Sequence, residues 1–441
     1  MPGPPLLAHG VGGRQDLPIS LTELVVGAVL ALVITFLALG AHWRRPLLDT
    51  DDESGRPVPV RLARLVDTTG WAWGVRLLGL ALAGWLGVAL LAGPDTPQNP
   101  TAGTVYVLFW VGLVPLSLLL GPVWRALNPV RTLHLLATLA VRRDPEIGLR
   151  PLPPRLGYRP AAAGLLTFVW LELVAPDRAT LPVIGAWLAA YLVAMLTGAV
   201  LYGAGWFDRG DPFEVLSALA GRLAVIGRRI DGTLVWRNPL DGIASLAPAP
   251  GLIATVTVLL GSTMYDSVSN APFWLRFQQG NGLPAPVTGT GGLVGVIGTV
   301  ALAYVVATRA AARRGHADRS GTPRQLAHSV VPVAVAYLVA HYYSLLVLEG
   351  QRTIALLSDP LDTGANLLGT ADWPVRTDLV TPSGIANLQL TVIVLGHLLG
   401  TLLAHDRALR LFPPAEATRG QIPLLVLMVA YTVAGLLLLF A

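Results

Sequence analysis

Long apolar runs separated by short polar clusters dominate the chain. Ten apolar stretches stand out, roughly 21–41, 72–93, 103–121, 161–175, 180–203, 250–266, 291–308, 326–348, 384–404 and 422–440. Most hold about 17–24 residues, enough at ~1.5 Å of rise per residue to cross ~30 Å of hydrocarbon. The pattern predicts an all-α fold, a polytopic transmembrane helix bundle of about ten spans forming one integral membrane domain over residues 1–441. The stretch 161–175 is short and bounded by Arg159 and Asp177, so it predicts a span that tilts little or sits where the bilayer thins.

The polar clusters orient these spans. Counting alternate connections, 26 arginines fall on one side and five on the other, Arg14, Arg178, Arg276, Arg352 and Arg376. Short cytoplasmic loops carry the excess of basic residues. The split therefore predicts a bacterial plasma (inner) membrane protein with both termini outside. Residues 124–141 and 213–227 carry apolar faces with arginines and predict amphipathic interfacial helices on the cytoplasmic side; 352–358 predicts the same outside. The Pro-rich stretch 151–160 reads as a linker. The Gly-rich stretch 280–292 reads as an outer loop leading to Gly291, Gly295 and Gly298, small residues suited to close helix packing. Asn128-Pro129, Asp211-Pro212, Asn238-Pro239 and Asp359-Pro360 are turn or helix-start signals.

Composition agrees. Mean hydropathy is +0.61 and 13% of residues are charged, against about 25% in a soluble domain. With no cysteine there are no disulfides, iron–sulfur clusters or thiolate zinc sites. There is also no lysine, so a Lys Schiff base or P-loop lysine is excluded. Walker A, HExxH, GxSxG and Rossmann patterns are missing, which argues against an enzyme. The net charge of +5 belongs to membrane loops, so the expected partner is the lipid bilayer and not a nucleic acid; membrane or exported protein partners stay open. The first ten residues lack a basic n-region and read as a short exported end, although Ala8 before His9 resembles the tail of a signal peptide.

Ionisable residues inside spans are costly and mark function by default. Glu172, Tyr265, Asp266, His341, Tyr342 and Glu349 collect toward outer span ends, with Tyr343, Ser344, Gln351, Asn387 and Gln389 nearby. They outline an outward-facing polar vestibule or, alternatively, a set of interfacial caps. On the ninth span Gln389, His397, Thr401 and His405 form a slowly winding polar stripe, with Gly396 and Gly400 beside it. It serves either as a proton path or metal lining, or as a helix–helix hydrogen-bond seam. Metal candidates are His9, His341, His397 and His405, for haem or copper. His341 and His397 lie about 12 Å apart in depth, from ~1.5 Å per residue, and cannot share an iron. His328 and His405 are level.

Residues 8–18 (AHGVGGRQDLP), 205–215 (GWFDRGDPFEV) and 341–351 (HYYSLLVLEGQ) together resemble an uncharacterised family of actinobacterial multi-pass membrane proteins. The resemblance implies the multi-span architecture and brings no activity with it. The chain predicts transport or permeation of a small solute or ion through a polar path. The alternatives are a membrane redox or metal/haem-handling subunit using its intramembrane histidines, and a scaffold or assembly partner without a substrate.

Overall fold

The computed structural model describes residues 20–414 and 416–440. In chain order its principal helices are α1 (Leu21–His42), α2 (Thr69–Ala92), α3 (Leu113–Leu120), α4 (Pro129–Ala140), α5 (Arg159–Leu173), α6 (Leu181–Tyr202), α7 (Pro212–Gly221), α8 (Leu252–Ser269), α9 (Ala285–Arg314), α10 (Val331–Leu356), α11 (Pro382–Leu411) and α12 (Ile422–Phe440). Among the described residues nine helical runs are long and apolar enough to cross a bilayer: all of these except α4, α5 and α7, with α3 counted from Thr101 and α10 from Thr322. The protein is a polytopic membrane helix bundle.

Local chemistry sets the helix ends. Ser20 and Glu23 form a reciprocal capping box at the start of α1, and the Thr68 side chain caps α2. Proline occupies the first turn of α4, α5, α6, α7, α9, α10 and α11, where its missing N–H costs nothing. Inside the third span Pro115 cannot donate to the carbonyl four residues back. The preceding run Thr104–Val111 is π-helical, and Gly112 N–H reaches Val107 O at 3.1 Å. The wider turn makes room for the proline ring and leaves Trp110 facing inward.

The arginine-rich connections meet at one end of the bundle. β1 (Arg56–Pro57) and β2 (Ile226–Arg228) flank β3 (Leu234–Trp236) in a small antiparallel sheet. Arg410 donates to Leu48 O (2.6 Å), Arg407 to Ala244 O (2.7 Å) and to Gln325 Oε1 (3.2 Å), and Tyr158 N–H to Pro250 O (2.7 Å). At the other end Trp85 donates to Leu357 O (3.0 Å), Tyr106 to Arg178 O (2.7 Å) and Leu181 N–H to Asp95 Oδ1 (3.1 Å). α5 runs between the two ends with only 15 residues, about 22 Å of helix. Its neighbours α8 and α10 form the buried centre, whereas α1 and α2 turn leucines such as Leu30, Leu37, Leu82 and Leu91 outward, a surface that only lipid satisfies.

Several expectations change. Residues 213–227 are not an interfacial helix: α7 ends at Gly221, is buried on nearly every side, and 226–228 is strand β2. Its aromatic and small residues pack against Trp110, Phe168 and Ser117, which local amphipathicity does not reveal. Residues 124–141 break at Asn128 into Trp124–Leu127 and α4. Residues 352–356 simply continue α10, and 285–292 are already helical. Gly291, Gly295 and Gly298 face open space; the tight contacts of α9 are Gly289 against Val174, Gly292 against Trp274, and Ile297 against Gly261 of α8.

Close approach of α2 to the Trp124–Leu127 turn depends on Gly79, where a Cβ would strike the Leu127 carbonyl, whereas Gly84 has nothing within 4 Å. Gly79→Val should lower stability by about 1–3 kcal/mol and Gly84→Val by under ~0.5 kcal/mol, read as thermal unfolding of the detergent-solubilised protein. Equal melting of the two variants would refute the packing.

Candidate functional site

Near the far end of α8, Asp266 is buried against α10. Its Oδ2 lies 2.8 Å from His341 Nε2 and accepts from the Tyr342 hydroxyl at 3.0 Å. His341 Nδ1 is 3.4 Å from Ser267 Oγ, and Tyr337 OH is 3.3 Å from the same hydroxyl. Glu172 on α5 is buried within electrostatic reach of both Asp266 and Tyr342. Its Oε2 and the buried indole N–H of Trp110 lie near each other without forming a well-aligned hydrogen bond. A small cavity of about 60 Å³ lined by Trp110, Pro115, Tyr342 and Tyr343 opens beside them, room for about one or two waters. Tyr265 is buried but faces Trp274. Glu349 is half-buried, about 12 Å farther along α10 by helical rise, and stands apart from this cluster.

A second polar network lies toward the arginine-rich end. Asn128 and Asp211 cap α4 and α7: each side chain accepts from two backbone N–H groups of its own first turn. The two caps also bond each other, Asn128 Nδ2 to Asp211 Oδ2 at 2.8 Å, and Tyr191, midway along α6, donates to the same oxygen at 2.8 Å. Arg131 grips Glu214 (2.6 and 3.2 Å) and reaches Asp208 (2.9 Å), which also pairs with Arg125. Burial pushes the Asp211 carboxyl above its ordinary range, against the hydrogen bonds it accepts. Burial, then the Arg131 charge, lowers His134.

One aromatic layer separates the two clusters. Phe213, between Asp211 and Glu214 in sequence, packs its ring 5.1 Å from Phe168 and 5.6 Å from Tyr191. Phe168, one helical turn below Glu172, packs 5.0 Å from Trp110 and 5.2 Å from Trp187. Tilted and edge-on rings of this kind fill space densely.

The ninth-span stripe is buried throughout. Gln389 donates to Ala340 O at 3.1 Å, Gly396 abuts Ala336, and a Cβ on Gly400 would lie 2.7 Å from Ser329 O, so this face is a close seam with α10 and the turn before it. His397 Nδ1 bonds Ile393 O (2.9 Å), Thr401 bonds His397 O (2.9 Å), and His397 Nε2 is without a hydrogen-bond partner. Both nitrogens of His405 lie within hydrogen-bond distance of oxygens, Gln421 Oε1 (3.2 Å) and Trp43 O (2.9 Å). Among the described residues no three His, Asp or Glu converge as a metal site. His9 lies outside the described residues.

The Asn128–Asp211 network was not singled out as a site from sequence. Its signal was visible as two Asx-Pro pairs, each followed by a charged residue at the third helical position, but only the fold brings them together. Stability separates the roles of two buried histidines. His341→Leu removes the 2.8 Å contact to the buried Asp266 carboxyl and should cost about 1–3 kcal/mol. His397→Gln should cost under ~1 kcal/mol, because an amide replaces the single bond to Ile393 O. The reverse order in thermal unfolding would overturn this assignment. No family model, curated protein or solved structure matches the chain, so these readings rest on its own residues and their geometry.

Proposed function

We propose that the protein carries a small solute or ion across the membrane along a polar path, and that its carboxylate lining selects a cation. The path begins at Glu172, Asp266, His341 and Tyr342 and is closed by the Phe168–Phe213 layer. The observation that carries this reading is the Glu172 carboxyl group, buried in the bundle beside the Asp266–His341 pair with no well-aligned hydrogen bond to Oε2, the Trp110 indole being the donor near it. Structural helix packing needs no such group, and leaving a carboxylate oxygen unsatisfied in an apolar site costs several kcal/mol. A passing cation or a water bridge satisfies it.

Gln389, His397 and Thr401 then act as a seam that holds α10, and with it His341, in register. No geometry among the described histidines favours a haem-binding alternative: His341 is engaged by Asp266, and His397 has no facing ligand.

Purified protein in liposomes loaded with proton- or sodium-sensitive dye tests the reading under an imposed potential. Wild type should give flux above protein-free vesicles, and Glu172→Gln or Asp266→Asn should reduce it about tenfold or more, the scale of ~1.4 kcal/mol per decade. A folded wild-type protein without flux of either cation overturns the proposal.

The orientation belongs to the same reading: the arginine-rich end faces the cytoplasm of a bacterial cell and both termini face outward. Reporter fusions after Arg143, Arg229 and Arg314 should then be cytoplasmic, and fusions after Gln98, Gly280 and Thr370 external. Inversion at any site refutes the span assignment around it.

A further inference from the structure

α7 is a re-entrant helix. Its cap Asp211 reaches Tyr191, the eleventh residue of the 22-residue α6, so the chain dips from the arginine-rich end to the middle of the bundle and returns. What holds its tip is a short set of polar contacts. Three carboxylates, Asp208, Asp211 and Glu214, face two guanidiniums, Arg125 and Arg131. Arg131 is committed to Glu214 and Asp208. The donors to Asp211 are neutral: Asn128 Nδ2, Tyr191 OH and the backbone N–H groups of Phe213 and Glu214. Asn128 Nδ2 also reaches Glu214 Oε2 at 3.2 Å, so a single amide bridges the two acids. With all three carboxylates ionised, the site carries one uncompensated negative charge, and Asp211 and Glu214 are both almost fully buried.

We propose that Asp211 and Glu214 share one exchangeable proton, and that this proton latches the re-entrant helix and with it the Phe213 part of the aromatic layer. The inference rests on the transport reading for its use, but not for its test. Phe213 lies between the two acids on the first turn of α7, so loosening that turn withdraws a ring from Phe168. The site opens toward the arginine-rich end through Asp208 and Arg125, whose side chains are 37% and 56% exposed.

The surrounding groups support a latch that titrates near neutrality. Burial holds the Glu214 carboxyl up to about 7, opposed by Arg131 and reinforced by Asp211 and Asp208. From α4 the pair faces Arg131 and Asn128; from the preceding turn Arg125; from Phe207–Gly210 Asp208; from α6 Tyr191. Glu146 acts more distantly through Arg131. His134, lowered by burial and by Arg131, adds no positive charge. α3 and α5 contribute only Ser117 against Ser217 and Gly164 against Pro212. The sign follows. The folded carboxyl binds a proton that the unfolded one releases near its ordinary 4.5, so the latch is closed in acid, weakens as pH rises from there, and is open above about 7.

Hydrogen exchange of the full-length protein in detergent or nanodiscs, followed by mass spectrometry over residues 207–222, tests this without any solute. After correction for intrinsic exchange, protection of that peptide should fall about tenfold between pH 6 and pH 8.5 in wild type, the span of about one decade per ~1.4 kcal/mol. Glu214→Gln removes the titrating charge and should keep protection flat across that range. Asp211→Asn retains a capping side chain and removes one of the charges that raise Glu214, so the fall in protection should move to lower pH. A wild-type peptide whose corrected protection is independent of pH overturns the latch, as does the wild-type pH dependence persisting unchanged in both variants. Cation flux with a pH-independent peptide would leave the transport reading standing, whereas a pH-dependent peptide in a protein without flux would remove that reading and keep the latch.

Discussion

Breaking a helix inside an apolar slab strands backbone N–H groups that no water reaches, and the rest of this structure is organised around meeting that cost. The chain breaks helices at Asn128-Pro129 and Asp211-Pro212 and brings both breaks to one place. Each side chain caps its own helix with one oxygen and turns its other polar atom to the opposite cap, at 2.8 Å. Proline removes one donor from each first turn, the cap side chain takes two more, and little is left unpaired. The charges of Arg131 and Glu214 sit there because the caps have already made a polar pocket for them. The aromatic layer follows in turn, since a helix that starts at that depth must bury Phe213 and Leu216 against its neighbours.

Elsewhere the bundle is held by shape. Gly396 and Gly400 let α11 lie against Ala336 and Ser329, Gly261 meets Ile297, and Gly79 admits the Leu127 carbonyl. Between helices in lipid, close packing substitutes for the water-driven force that assembles soluble cores. Polar side chains on these seams mostly bond backbone carbonyls one turn back, as Thr401, Thr257, Thr263, Thr308 and Thr432 do. Such residues satisfy themselves and carry no path. Glu172 and Asp266 differ because their carboxyl groups do not close on the preceding turn: Asp266 bonds across to His341 and Tyr342 of α10, and Glu172 lies within reach of Asp266.

The spans were legible because hydropathy over some twenty residues is a one-dimensional signal, and the arginine sides were legible because each loop carries its own charge. Asp266 and His341 were legible as costly residues on the right stretches; their 2.8 Å contact was not, because it depends on the relative rotation of α8 and α10. Glu349 carries the same chemistry as Glu172, yet only Glu172 comes within reach of Asp266, a difference set by tertiary packing alone. The burial of α7 was hidden for another reason. Its residues read as a surface helix with arginines following, and what buries them are Phe168 and Trp110, far away in sequence. The glycines of α9 mislead in the opposite sense: Gly291, Gly295 and Gly298 match a packing motif but meet no neighbour.

The shortness of α5 has an electrical meaning. It starts at the exposed Arg159 and ends at Leu173, just before the exposed Asp177, with about 22 Å of helix between, in a molecule whose other spans run to 30 residues. A span this short calls for a locally thinner apolar layer around α5 than a longer helix needs. A membrane potential falls across whatever low-dielectric thickness separates the two waters, so the voltage gradient is steepest here. A full elementary charge crossing it gains about 2.3 kcal/mol per 100 mV. Phe168 lies within that short helix, so a charge moving past its ring on the proposed path would feel a large share of the voltage.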